Sequence, residues 1–204
     1  MKTMRLFLAT LVLASIALPA HAQLGGLLGK KDEGAASPGM VVGKFVESQS
    51  HIIAAQIKFA EAFDLQDQVT LLKAEQQALS AEQVDTSALK KSREVSDGAQ
   101  EAIAARMQDQ PQLDASGKSA YAEGLVSYGK GLLAAKLTLD AAQAAGRSFG
   151  ASSLSGTGRA AVYVTKESPG YFNSLRTSSK MIFEYGKRND LSPPSDATSM
   201  LDGL

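Results

Sequence analysis

His51 follows Glu47 by four residues, a spacing that sets an imidazole and a carboxylate side by side on one face of a helix. Such a pair would hold one edge of a metal ion. A metal centre inside a helical core needs a second Glu-x-x-His segment to close it, and the sequence has none. His51 is also the one base available for a Ser-His-Asp arrangement, because the only other histidine, His21, falls in an N-terminal segment expected to be cleaved. Its helical neighbours, Glu47, Ser48, Ala54 and Ala55, belong to a flank with Lys44 and Lys58 that reads as solvated. The chain contains no cysteine, which excludes thiolate nucleophiles, thiolate zinc sites, iron–sulfur clusters and disulfide cross-links.

Two further groups of residues carry chemical potential. Gly156-Thr157-Gly158-Arg159-Ala160-Ala161 imitates part of a phosphate-binding loop. That function requires a preceding strand in a parallel sheet, and the segment before it, SFGASSL, makes a poor strand. A Gly/Ser linker from Gly146 to Gly158 is the expectation. Tyr121, Tyr128, Tyr171 and Tyr185 combine apolar area with a polar tip, and Tyr121 and Tyr128 share a helix face. Their expected role is core packing with hydroxyls reaching the rim; the alternative is a groove for a ligand or partner. No pair of acidic residues stands in an apolar setting suited to acid–base work. No catalytic residue, cofactor site or metal site is therefore assigned.

The elements that would position these residues follow from periodicity. Val42, Phe45, Val46, Gln49, Ile52, Ile53, Gln56, Phe59, Ala60 and Phe63 recur in steps of three and four, which lines one face of a helix with two polar interruptions. Asp64 to Asp67 kinks or caps it, and the pattern resumes through Val69, Leu72 and Leu79. Ser80 and Asp85 are candidate N-caps for a helix with Leu89, Ser92, Ala99, Ile103 and Met107 inward, stopped by Pro111. Asp114 or Ser116 starts the next, through Tyr121, Leu125, Tyr128, Leu132, Ala135, Leu139 and Ala142. Its small residues Ser127, Gly131 and Ala135 predict a close helix–helix approach, and its charges argue against lipid. Residues 159–167 fit helix or strand; a lone strand would leave its backbone unpaired, so helix is chosen. Ser168-Pro169 predicts a fresh helix start, with Phe172, Leu175, Ser179, Ile182 and Gly186 inward and Tyr171 and Tyr185 flanking. The fold class expected is all-α, an up-and-down antiparallel bundle of four to five helices.

Ahead of the bundle, Lys2 and Arg5 precede 13 uncharged, mostly apolar residues from Leu6 to Leu18, and Ala20-His21-Ala22 supplies small residues at −3 and −1 of a cut. These are the three parts of a secretory signal peptide over residues 1–22, with cleavage following Ala22. Residues 23–37 then form a flexible leader, 38–190 the bundle and 191–204 a disordered tail. The cut leaves 182 residues, in which 19 basic groups face 21 acidic ones. This near-neutral chain offers no electrostatic case for nucleic acid, and no run in it is long enough to be a transmembrane segment. Its charge is uneven: Pro38–Lys118 carries 8 basic and 12 acidic residues, Ser119–Asp190 9 and 5. Oppositely charged helical layers facing each other at their rims are expected. Together these features predict a periplasmic or secreted, non-enzymatic bundle that works through an envelope protein partner. The alternative is a carrier of an apolar small molecule.

Overall fold

The computed structural model describes residues 36–80, 84–109, 111–145 and 156–193. Residues 1–35 and 194–204, which hold the expected signal peptide, most of the leader and most of the tail, lie outside the described residues. Five helices make up the fold: α1 (Pro38–Ala62), α2 (Gln66–Leu79), α3 (Thr86–Gln108), α4 (Ala115–Ala145) and α5 (Gly156–Arg188). Ser37 caps α1, accepting from the Met40 N–H, and Pro38 occupies the first helical position, where its missing N–H costs nothing. Asp85 caps α3 at 2.8 Å from the Ala88 nitrogen, and Asp114 caps α4 at 2.7 Å from that of Gly117. Ser80, the other candidate cap, instead closes α2, its hydroxyl donating back to the Gln76 carbonyl.

Residue pairs between helices give the directions. Phe59 meets Gly124 and Ile52 meets Gly131, so α1 and α4 are antiparallel. Tyr121 bonds Ile182 and Tyr128 bonds Leu175, so α4 and α5 are antiparallel too. Gln49 with Ser92 and Gln56 with Ser96 run α3 in the direction of α1. The result is up-down-up-down-up, an all-α bundle in which α1 packs against every other helix. Phe45, Ile52, Phe59, Leu89, Ile103, Tyr121, Tyr128, Leu132 and Ile182 are fully buried. Each such side chain contributes roughly 1.5–3 kcal/mol of hydrophobic stabilisation.

Two helix ends use one device. Asp64 after α1 and Asp190 after α5 adopt left-handed backbone, at φ 57° and 61°. The Leu65 N–H reaches the Ala60 carbonyl and the Leu191 N–H the Gly186 carbonyl, satisfying the last-turn acceptors. Leu65 and Leu191 then pack on the core, so residue 191 belongs to the bundle rather than to a tail. At the other end Ala36 is buried, so the leader also gives up its last two residues to the fold.

Two expectations need correction. Ser168-Pro169 does not begin a helix; α5 runs unbroken through Pro169 from Gly156. Proline removes one main-chain donor, but Val164, Ser168, Tyr171 and Phe172 are all buried, and their packing holds the helix together across it. The Ser168 hydroxyl, directed at 2.6 Å to the Val164 carbonyl, serves the same turn from the inside. Residues 159–167 are helical, as expected, and Gly156 to Gly158 of the expected linker belong to α5; residues 146–155 lie outside the described residues. Ser48, assigned to the wet flank of α1, is fully buried. A single amphipathic stripe presumes neighbours on one side, whereas α1 has helices on most of its circumference.

Candidate functional site

Helix α4 has two faces of opposite character. The inner face is built on Gly117, Gly124 and Gly131, one every seven residues, turned towards α1. A Cβ on Gly124 would stand 2.5 Å from the Phe59 ring, and one on Gly131 2.6 Å from the end of Ile52 and 3.1 Å from its backbone nitrogen. Gly131 was legible as part of a close approach, but its sequence partner Ser127 is only half-buried and the true repeat is seven rather than four. The space those small residues open is filled by Phe59 and Ile52.

The four candidate tyrosines stand beside those glycines, all buried. Tyr121 donates to the Ile182 carbonyl at 2.8 Å and Tyr128 to that of Leu175 at 2.7 Å. Tyr185 donates to the Pro111 carbonyl, and the Tyr171 hydroxyl pairs with Ser48 Oγ at 3.1 Å. Ser48 in turn donates to the Gly131 carbonyl at 2.9 Å, tying α5 to α4 through α1. The rings pack tilted or edge-on against those of α1 and its C-cap: Phe59 with Tyr121 at 4.7 Å, Phe63 with Tyr185 at 5.3 Å, Phe45 with Tyr171 at 5.1 Å. The four tyrosines therefore form a buried ladder, with hydroxyls bonded to backbone and to Ser48, and Tyr185 also borders a surface pocket beside Met107, Met181 and Arg188. Burial pushes the phenols of Tyr121, Tyr128 and Tyr171 well above their ordinary range, and repulsion from neighbouring tyrosines adds to it at Tyr121 and Tyr128.

The outer face of α4 is the unusual surface of the molecule. Among the described residues four large apolar side chains are exposed, and three of them, Val126 (48%), Leu133 (46%) and Leu137 (45%), lie on this one helix. Their spacing of seven and four aligns them into a stripe. The fourth, Leu71 on α2, stands alone.

The remaining candidates are dispersed. His51 and Glu47 lie at the rim of α1, half-buried and exposed respectively, and no group of three potential metal ligands occurs among the described residues. Gly156 to Ala161 form the first turns of α5, preceded by no described strand. No described helix is long and apolar enough to cross a membrane. Nor do the rims pair as net charge suggested. Among the described residues, the ion pairs joining the two charge segments, Lys58–Glu123 at 2.9 Å and Lys118–Asp190 at 3.6 Å, draw the cation from the acidic segment and the anion from the basic one. Local juxtaposition, not segment charge, selects partners within a few ångströms.

No protein-family model, no curated protein and no solved structure matches this chain.

Proposed function

We propose that this is an exported helical-bundle protein that acts by contact with other protein in the cell envelope rather than by catalysis. The observation that carries the reading is the apolar stripe of Val126, Leu133 and Leu137 on α4. Clustered exposed apolar side chains mark interaction surfaces, whereas isolated ones such as Leu71 need no explanation. Export rests on the basic, apolar and Ala-x-Ala segments of residues 1–22. The absence of cysteine is compatible with an oxidising compartment, because the core supplies cohesion without cross-links.

A photo-crosslinking residue placed at Leu133, and as a control at Leu71, tests the reading in intact cells. Protein adducts at position 133 well above those at 71 are expected. Equal, low adduct formation at both would refute the contact surface. Isolated protein should begin at Gln23; an intact Met1 would refute export.

A further inference from the structure

The stripe on α4 continues beyond its three apolar members. At alternating steps of four and three it reads Val126, Lys130, Leu133, Leu137, Asp140 and Ala144, and all six are exposed. Steps of four and three repeat every seven residues, the spacing of a coiled-coil seam. This seam has a property of its own. Turned end for end about the level of Ala135, it falls on itself: Val126 comes opposite Ala144, Lys130 opposite Asp140, and Leu133 opposite Leu137. Every layer then pairs apolar with apolar or cation with anion.

Such self-complementarity is what a two-fold symmetric interface demands, since residue i must suit residue j and j must suit i. A parallel pairing would set Lys130 against Lys130 and Asp140 against Asp140, an arrangement that like-charge repulsion penalises. The charges are also prepared. Lys130 makes no ion pair with any described residue, so its charge is unspent. Asp140 is held by Lys136 through both oxygens, at 2.8 and 2.9 Å, which fixes its rotamer. Its side chain still stays 51% exposed, and a carboxylate has lone pairs enough for a second cation.

We infer that the outer face of α4 binds a second copy of this chain, antiparallel, with Lys130 of each copy paired to Asp140 of the other. The inference rests on the reading of α4 as a contact surface and names its occupant. A seam from position 126 to 144 is about 27 Å long at 1.5 Å per residue, a short contact that makes the dimer reversible.

The test uses the chain as isolated from cells. Sedimentation should show a monomer–dimer equilibrium. Lys130→Asp alone and Asp140→Lys alone should each shift its midpoint to higher concentration by about tenfold. An equimolar mixture of the two variants should regain the dimer, because each then faces an opposite charge. Register is read separately. With no native cysteine to interfere, Val126→Cys mixed with Ala144→Cys should oxidise to a cross-linked dimer, while either alone should not, its own copies lying about 27 Å apart. All positions are exposed, so helical content and unfolding temperature should match the parent chain. A chain that sediments as monomer throughout, a charge-swapped mixture that stays monomeric, or Val126→Cys that cross-links to itself would each overturn the proposal. Adducts at Leu133 to a different protein, with the chain monomeric, would overturn it while leaving the contact-surface reading intact.

Discussion

Helix α1 is held by α4 on one side and by α3 on another, and the two contacts obey different rules. Towards α4 it presents Phe59 and Ile52 into the gaps left by Gly124 and Gly131, with tyrosine rings closing around them. Towards α3 it presents Gln49 and Gln56, whose amides donate to the carbonyls of Ser92 and Ser96 at 3.3 and 2.9 Å. The Ser96 hydroxyl returns a bond to the Gln56 side chain at 3.0 Å, whereas Gln49 Oε1 and Ser92 Oγ have no partner among the described residues. The glycine side derives its stability from area and shape, and any added atom collides. The glutamine side derives its register from hydrogen bonds, whose net worth is only about 1 kcal/mol each but whose loss leaves buried groups unpaired.

Substitutions should separate these rules, the largest effect first. Phe59→Asp places an uncompensated charge among Tyr121, Tyr128 and Gly124 and should destabilise the bundle by at least about 4 kcal/mol. Unchanged thermal unfolding would refute the assignment of that face. Alkali attacks the same side without a mutation. The unfolded chain loses phenolic protons near pH 10 while Tyr121, Tyr128 and Tyr171 keep theirs when folded, so above that pH the unfolded state binds fewer protons and stability falls. The loss should approach 1.4 kcal/mol per buried tyrosine per pH unit, about 4 kcal/mol by pH 11, and be negligible below pH 9. Urea titrations at several pH values, with phenolate absorbance followed in parallel, would show it; tyrosines that ionise near pH 10 without unfolding would count against the buried ladder.

Gly131→Ala sharpens the comparison. Alanine normally favours a helix interior by up to about 1 kcal/mol, but here overpacking against Ile52 should dominate and cost roughly 1–3 kcal/mol. On the α3 side, Gln56→Leu strands the Ser96 groups and should cost roughly 1–3 kcal/mol. Gln49→Leu gives up one long bond and an oxygen that was already unpaired, so it should cost under about 1 kcal/mol. Equal losses for the two would mean that the ladder acts as a whole rather than bond by bond. Gly98→Ala on α3, with nothing within 4 Å of the added carbon, should stabilise by about 0.5–1 kcal/mol, the opposite sign to Gly131→Ala.

Much of this was legible in the residues. The stripe from Val42 to Phe63 names the inner face of α1, including both glutamines, and every member except Val46 is buried. Ser92 on α3 was placed inward for the same reason of period, which put both ends of a polar seam in view without showing that they met. Asp85 and Asp114 announced their helices because a carboxylate before a run of free N–H groups is a local matter. What periodicity missed depended on neighbours distant in the chain. Ser48 looked solvated beside Glu47 and His51, yet it lies under Gly131 and Tyr171, 83 and 123 residues away. Gly117 and Gly124 carried no mark distinguishing them from Gly43 or Gly98, whose surroundings are open. Asp64 and Asp190, each followed by leucine, share a signature that identifies both helix ends once their left-handed backbone is seen.

By itself, then, the sequence determined the all-α class, the starts of α3 and α4 and the face each helix turns inward, because those depend on spacing and on atoms a few residues apart. Tertiary structure alone decided that α5 runs through Pro169, that Tyr121, Tyr128 and Tyr171 are sealed inside, and that α4 keeps an apolar seam outside. Those outcomes turn on which helix lies against which, and a local proline or a row of leucines is helical or exposed only relative to what packs beside it.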